Sequence, residues 1–262
     1  MADWLHNLPV GWMTLIVFGF TYLLAAGICG LVTALAEGER ARAFKANSPG
    51  MLPTLGIIFG LFVAFTAAQV WNYNERANTA VDREASALRA VVVLAAAFPG
   101  EPESRLRAHI RRHIEQAATQ EWPMMARGTA TLRFTSPLLA EALQLTLALP
   151  PNSEGQKIAQ REITTALETA FDARRQRIII SQSHVNWVKW LCLFVQAVVA
   201  LFAIAMIHCD NRIASAIAVG LFATGVVASV LLIAAHDRPF TGAISVGPGP
   251  LLHVMPHAEP GQ

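Results

Sequence analysis

Four long apolar stretches, unevenly spaced, constrain this chain more than anything else in it. Trp12–Leu35, Leu52–Val70, Trp187–Ile207 and Ile213–Ala235 each match the roughly 20 residues that a helix needs to cross a bilayer core of about 30 Å. Two short connections, Ala36–Met51 and His208–Arg212, pair them, and the long interval from Trp71 to Asn186 holds the pairs apart. Lipid offers no partner to an open backbone group, so such spans must be helices unless a barrel closes on itself. The alternating segments of about ten residues that a barrel needs do not occur.

Composition points the same way. With 54% hydrophobic residues, 15% charged and a mean hydropathy of +0.42, the 262-residue chain is too apolar for an ordinary soluble domain. The expected fold class is all-α and integral to the membrane, with four transmembrane helices and a helical cytoplasmic domain. The domain limits read as 1–71 for the first two spans, 72–186 for the cytoplasmic domain, 187–236 for the last two spans and 237–262 for the tail. The first span is expected to stay in the mature chain, because it lacks a basic leader and a small-residue cleavage pattern before Glu37-Gly38-Glu39-Arg40.

Four spans place the interval 71–186 and both termini on one side. Arg76, Arg83, Arg89, Arg174, Arg175, Arg177 and Arg238 flank spans on that side, against Arg40, Arg42, Lys45 and Arg212 on the other. This bias assigns the large interval to the cytoplasm of a bacterial inner membrane. The net charge of +2 and the absence of a basic patch interleaved with aromatics argue against nucleic acid. Cys29, Cys192 and Cys209 fall in or at the end of spans and read as soft apolar filling. No phosphate loop, Gly-x-Ser-x-Gly elbow, His-Glu-x-x-His or paired-cysteine motif is present, so neither an enzyme nor a cofactor is expected. His109 and His113 stand one helical turn apart, but no third ligand completes a metal site and a solvated basic helix is the better account.

The long interval reads as helical throughout. From Asn72 to Phe98 no proline or glycine interrupts, so the second span should continue as one helix until Pro99-Gly100-Glu101-Pro102 stops it. Glu103–Glu121 is amphipathic, with Leu106, Ile110, Ile114 and Ala117 on one face and Pro123 as its end. Ser136-Pro137 caps a third helix that reaches Leu147. Ser153–Ser183 is a fourth, leading through Arg174-Arg175-Gln176-Arg177 into the third span, and Gly247-Pro248-Gly249-Pro250 belongs to an irregular tail.

Two stripes divide the second span. Gly56, Gly60, Ala64 and Ala68 recur every four residues, which lets a neighbouring helix approach closely. Ile57, Leu61 and Phe65 recur at the same spacing on another face. Both stripes could simply pack helices or face lipid; alternatively, the small stripe closes a ring of subunits and the bulky one lines a constriction that gates by dewetting. Beyond the span, Glu75, Asp82 and Glu84 could pair with Arg174, Arg175 and Arg177. Lys189 can snorkel from the end of span three, whereas Gln196 lies deeper and is the stronger candidate for an interhelical hydrogen bond or a pore-facing group.

The exit Trp71-Asn72-Tyr73-Asn74-Glu75-Arg76, followed by Asp82-Arg83-Glu84-Ala85 and Leu88, resembles the bacterial bestrophin-like membrane family. Glu121-Trp122-Pro123-Met124, Arg174-Arg175-Gln176-Arg177 and Asp237-Arg238-Pro239-Phe240-Thr241-Gly242 extend the resemblance over nearly all the chain beyond the first span. The more distant likeness to bestrophin channels implies a homo-oligomer, a pentamer by that likeness, that passes small ions across the bilayer through a central pore. On that likeness the neck is Pro53, Ile57, Leu61 and Phe65, and the exit and vestibule take Trp71, Asn72, Asn74, Glu75, Arg76 and Glu84. Asp237, Arg238, Pro239, Phe240 and Gly242 form the motif after span four. Anions are the first expectation, although the resemblance does not carry selectivity over. The acidic calcium clasp of animal bestrophins has no counterpart after Phe240, where Glu259 is the only acid. The rival reading is a non-conducting membrane sensor or scaffold that binds a partner through its cytoplasmic helices.

Overall fold

The computed structural model describes residues 10–132, 136–242 and 244–256; Glu259 lies outside them. The described residues are built from helices alone: α1 Val10–Leu35, α2 Glu39–Leu94, α3 Glu101–Gln116, α4 Trp122–Ala126, α5 Pro137–Ala148, α6 Glu154–Ser181, α7 Trp187–Ile207, α8 Arg212–His236 and α9 Gly249–His253. Four of them are long and apolar enough to cross a membrane, so the chain is a multi-pass membrane protein. Contacts divide it into two compact units. One holds the chain up to Asn72 together with His184–Asp237; the other holds Tyr73–Ser183, Arg238–Thr241 and the segment from Ser245.

In the membrane unit, α1, α7 and α8 pack on one another and on the apolar part of α2. Phe59, Val70, Trp190, Leu193 and Val226 belong to one buried cluster, and Ile28, Leu201, Ile204 and Val219 to a second. Asn186 opens α7 by accepting from the Val188 N–H at 3.1 Å. Asn211 opens α8 by accepting from the Ile213 and Ala214 N–H groups at 3.0 and 3.1 Å. In each case a side-chain oxygen satisfies backbone donors that lipid could not. Trp12, Trp71 and Trp187 are exposed at the ends of three spans that share one side by topology, where amphipathic rings sit at headgroup level.

The connection expected over Ala36–Met51 is mostly helix. Only Ala36–Gly38 separates α1 from α2, with Gly38 at φ +56°, a left-handed turn that suits glycine. Pro49 and Pro53 therefore lie inside α2 rather than at its start. Each removes one backbone donor, a loss that membrane helices tolerate when neighbours re-satisfy the freed carbonyl. Past the span, α2 runs on to Leu94 and a 3-10 turn, Ala95–Ala97, closes it just before Pro99.

The extramembrane unit has its own core, centred on Leu88, Leu106, Ile110, Leu139, Ile163 and Leu167, all fully buried. Three expectations change here. Pro123 does not end the second amphipathic helix: Ala117–Glu121 forms a π-helical turn in which the Trp122 N–H reaches the Ala117 carbonyl, and the helix resumes through Pro123 to Ala126. Pro123 thereby stands in the first turn of the resumed helix, where its missing N–H costs little. At the other end of the unit, α6 stops at Ser181 and α7 begins at Trp187, so α6 does not lead into span three as one rod. The tail is not wholly irregular, because α9 seats Leu251, fully buried, in this core.

Helix α6 starts where Ser153 accepts from the Gln156 N–H at 3.2 Å. The Gln156 side chain in turn accepts from the Asn152 N–H at 2.7 Å and donates to the Ala97 carbonyl at 3.0 Å. This is a capping box displaced by one residue, and it ties the helix start to the end of α2's 3-10 turn.

Candidate pore-lining helix and its buried charge network

Along the span, α2 turns a third face inward. Phe59, Thr66, Ala67 and Val70 are buried, and Phe59 meets Phe222 of α8 with ring centroids 5.7 Å apart. Both sequence stripes are therefore left outward. Ile57, Leu61 and Phe65 are 70, 54 and 67% exposed within the chain, and Pro53 is exposed with them. Gly56, Gly60, Ala64 and Ala68 are exposed as well. A Cβ built on Gly56 or Gly60 would meet nothing within 4 Å, so no contact inside the chain requires a glycine there. At the exit, Trp71, Asn72, Glu75 and Arg76 are exposed and Asn74 is half-buried.

Further along, α2 reverses its chemistry. Ala77, Val81, Ala85, Leu88 and Val91 form the stripe facing the extramembrane core, and Glu84 stands on that same stripe. Its side chain is fully buried, so the carboxylate faces helices of this unit rather than solvent. Arg177 of α6, also fully buried, donates from Nε to Glu84 Oε2 at 2.9 Å and from Nη2 to Oε1 at 3.2 Å. His113 of α3 brings Nε2 to Glu84 Oε1 at 3.0 Å, and its Nδ1 lies 3.0 Å from the Ser136 hydroxyl. Arg177 also reaches Glu121 Oε2 at 2.9 Å, and Arg174 donates to Glu121 Oε1 from Nε and Nη2 at 2.8 and 2.6 Å. The Arg177 guanidinium lies 4.4 Å over the Trp122 ring, a cation–π contact made in a dry setting.

Two carboxylates and two guanidiniums thus balance in the core: α2 contributes Glu84, α3 His113, the π-helical turn Glu121, and α6 both Arg174 and Arg177. Burial by itself would raise the Glu84 carboxyl. The Arg177 charge and the His113 hydrogen bond overcome that and hold it at about 2, below the ordinary 4.5. Glu121 is likewise lowered: burial opposes, while Arg177 and then Arg174 prevail. Arg177 is raised despite burial, first by Glu84 and then by Glu121. No step of chemistry is evident in this network. Fully satisfied, it fixes α2, α3, α6 and the π-helical turn in one register.

The expected pairing of α2 acids with the α6 arginines is therefore made by Glu84 with Arg177. Arg175 is exposed and Arg174 takes Glu121. His113 is not on a solvated basic face, since only 1% of it is exposed, while His109 Nδ1 lies 3.3 Å from the Glu141 carboxylate without a hydrogen bond to it. No metal-binding group of three ligands occurs among the described residues. Lys189 reaches the Gln69 side chain, and the Gln196 Oε1 is buried with no protein partner.

The motif after span four is a set of fasteners. Buried Asp237 accepts from the Val185 N–H at 2.6 Å, just ahead of α7. Phe240 packs edge-on against Trp122 at 6.0 Å. Trp122 Nε1 donates to the Val246 carbonyl at 2.9 Å, and the Val246 N–H donates to the Pro239 carbonyl at 2.7 Å. Gly242, at φ +91°, supplies a turn that a side chain would strain. Met125, whose Sδ accepts from Arg177 at 3.5 Å, was not singled out by the sequence; its only signal was proximity to the Glu121-Trp122-Pro123-Met124 motif. Ser136 was expected as a helix cap, but it makes no side-chain cap bond, because its hydroxyl is turned to His113.

Among solved structures, a bacterial Bestrophin homolog from Klebsiella pneumoniae aligns at a TM-score of 0.70 and 13% identity, covering 92% of this chain and 95% of that one. A second variant of that homolog aligns at 0.66 and 13%, over 91 and 96%. A structure described as a membrane protein aligns at 0.70 and 14%, over 92 and 99%. At such identities the likeness establishes the fold. A search of curated protein sequences gave no match. The family described as Bestrophin-like domain matches residues 19–251, and the chain belongs to that family.

Proposed function

We propose that the chain is an ion channel formed by a ring of copies, five by the bestrophin likeness, with α2 facing the axis. The observation that carries this reading is the outward stripe Ile57, Leu61 and Phe65 beside an outward stripe of glycine and alanine on one span. In a ring, the small residues let the next copy's helix approach, and Pro53, Ile57, Leu61 and Phe65 form a neck whose apolar walls disfavour water and ions. Trp71, Asn72, Asn74, Glu75 and Arg76 line the exit. Glu84 supports the wall from behind by anchoring α2 to α6. The permeant class is anionic, and the extramembrane unit lies in the cytoplasm of a bacterial inner membrane with both termini on that side, as the arginine bias supports.

Purified protein in planar bilayers tests this. Leu61→Ala or Phe65→Ala should raise single-channel conductance or open time over the unaltered chain, and reversal potentials in asymmetric KCl should follow chloride. Silence in all three forms, or a monomer by native mass measurement, would overturn it.

A further inference from the structure

Within the membrane unit, α1, α7 and α8 leave a cleft of about 280 Å³ between them. Its floor is buried and apolar: Trp190, Leu193, Ala197 and Leu201 of α7 and Val226 of α8. Its rim is exposed Phe20 of α1 and Phe194 of α7, whose rings stand 6.3 Å apart. Protein interiors are otherwise close-packed, and a void of this size forfeits dispersion contacts along its whole lining. In a bilayer, only an apolar group would fill it without loss.

Where the cleft lies says what that is. Its wall runs from Ile16 to Leu24 on α1 and from Trp190 to Leu201 on α7, about 12 and 16 Å at 1.5 Å per residue. Half of a bilayer core of about 30 Å is about 15 Å. The outer end begins one turn inside exposed Trp12 and Trp187, the residues that mark headgroup level. The inner end stops near the midplane. We infer that this cleft seats one acyl chain of a phospholipid from the leaflet that meets Trp12 and Trp187. The aromatic pair at the rim holds the chain against the floor, in the offset contact that ring edges and methylenes favour. The inference rests on the spans alone and stands whether or not the protein conducts.

Trp190 in the floor is a built-in reporter, read as the difference in emission between the intact chain and Trp190→Phe. In vesicles of phosphatidylcholine with brominated acyl chains, Trp190 should lose most of its emission despite its burial. Ala197→Phe, which fills the floor, should restore that emission while exposed Trp187 stays quenched. Unquenched Trp190 in the intact chain, the result expected if a second copy occupies the cleft, would overturn the inference, as would quenching that Ala197→Phe leaves unchanged. Should Ala197→Phe fail to fold, Phe20→Ala takes its place: removing half of the rim that holds the chain must lower Trp190 quenching at low bromolipid content, and unchanged quenching overturns the inference equally.

Discussion

The two units of this chain solve the burial problem in opposite ways. The extramembrane unit finishes its core within one copy, down to a pair of carboxylates and a pair of guanidiniums with partners on every side. The second span finishes little: it buries the face of Phe59, Thr66, Ala67 and Val70, yet only 17% of its apolar window is buried in the chain, the lowest of the four spans, against 44% for the third. In water such a face would be a fault. In a bilayer it carries no penalty, because lipid tails are as apolar as leucine, so selection can shape it for a neighbour or a pore rather than for folding. Stability and proposed function are therefore written on different stretches of the same helix α2.

The largest effect should come from breaking the self-contained side. Glu84→Leu leaves Arg177 buried with Glu121 alone and should cost about 3–5 kcal/mol, seen as a marked fall in Tm of the detergent-solubilised protein. Glu84→Leu with Arg177→Met removes both charges and should recover a good part of that loss. A double variant as unstable as the sum of the singles would deny the coupling.

Acid should act on the same network. Glu84 is held at about 2 against an ordinary 4.5, and Glu121 is lowered too. The unfolded chain then binds protons that the folded one does not. Stability from these groups is fully present above about 4.5 and is lost as pH falls from there toward 2. Tm should drop steeply over that window, and Glu84→Gln should flatten the drop from a lower starting point. A profile as steep in Glu84→Gln as in the intact chain would place the titration elsewhere.

On the unfinished side, Gly60→Leu separates folding from assembly. A Cβ at Gly60 meets nothing within 4 Å of its own chain and the position is exposed, so the fold should be unchanged. A neighbouring helix seated on Gly56 and Gly60 would be overpacked, by about 1–3 kcal/mol at each interface. Native mass measurement should then show smaller species with intact helical content. An undisturbed ring would move the seam to another face.

Much of this was legible, for reasons that differ by region. The spans were readable because bilayer thickness fixes their length, and α7 begins and ends where the apolar run does. The one cap expected from residue type, Ser136, makes no side-chain cap bond, whereas Ser153, Asn186 and Asn211 cap their helices without having been singled out. The network was half-readable. Glu84 lies three residues after Val81 and four before Leu88, His113 three after Ile110, and Arg177 on the stripe of Ile163, Leu167 and Ala170. A charge on a core stripe signals a buried partner, yet the stripe alone does not say which charge meets which. Pro123 misled because a proline usually ends a helix, and a π-helical turn is a local remedy that propensity does not foresee. The helical stretch before Met51 was hidden by Pro49 and its polar residues, which resemble a loop until the span beyond extends them. The break over Gln182–Asn186 carried only one cue, the cap at Asn186.

The smallest expected effect tests the network's geometry most finely. Arg174, Arg175 and Arg177 sit within one turn of α6, and charge alone would treat them as equivalent. A helix rotates by about 100° per residue, so Arg175 and Arg177 point to nearly opposite sides: Arg177 is fully buried and Arg175 exposed. Arg175→Glu should therefore change stability by no more than about 0.5 kcal/mol, as for other surface sites. It should also fail to rescue Glu84→Arg, because the new carboxylate lies on the wrong side of α6 to meet the new guanidinium. Rescue in that double variant would mean that α6 can rotate to offer either residue, and that the core around Glu84 is less fixed than its hydrogen bonds imply.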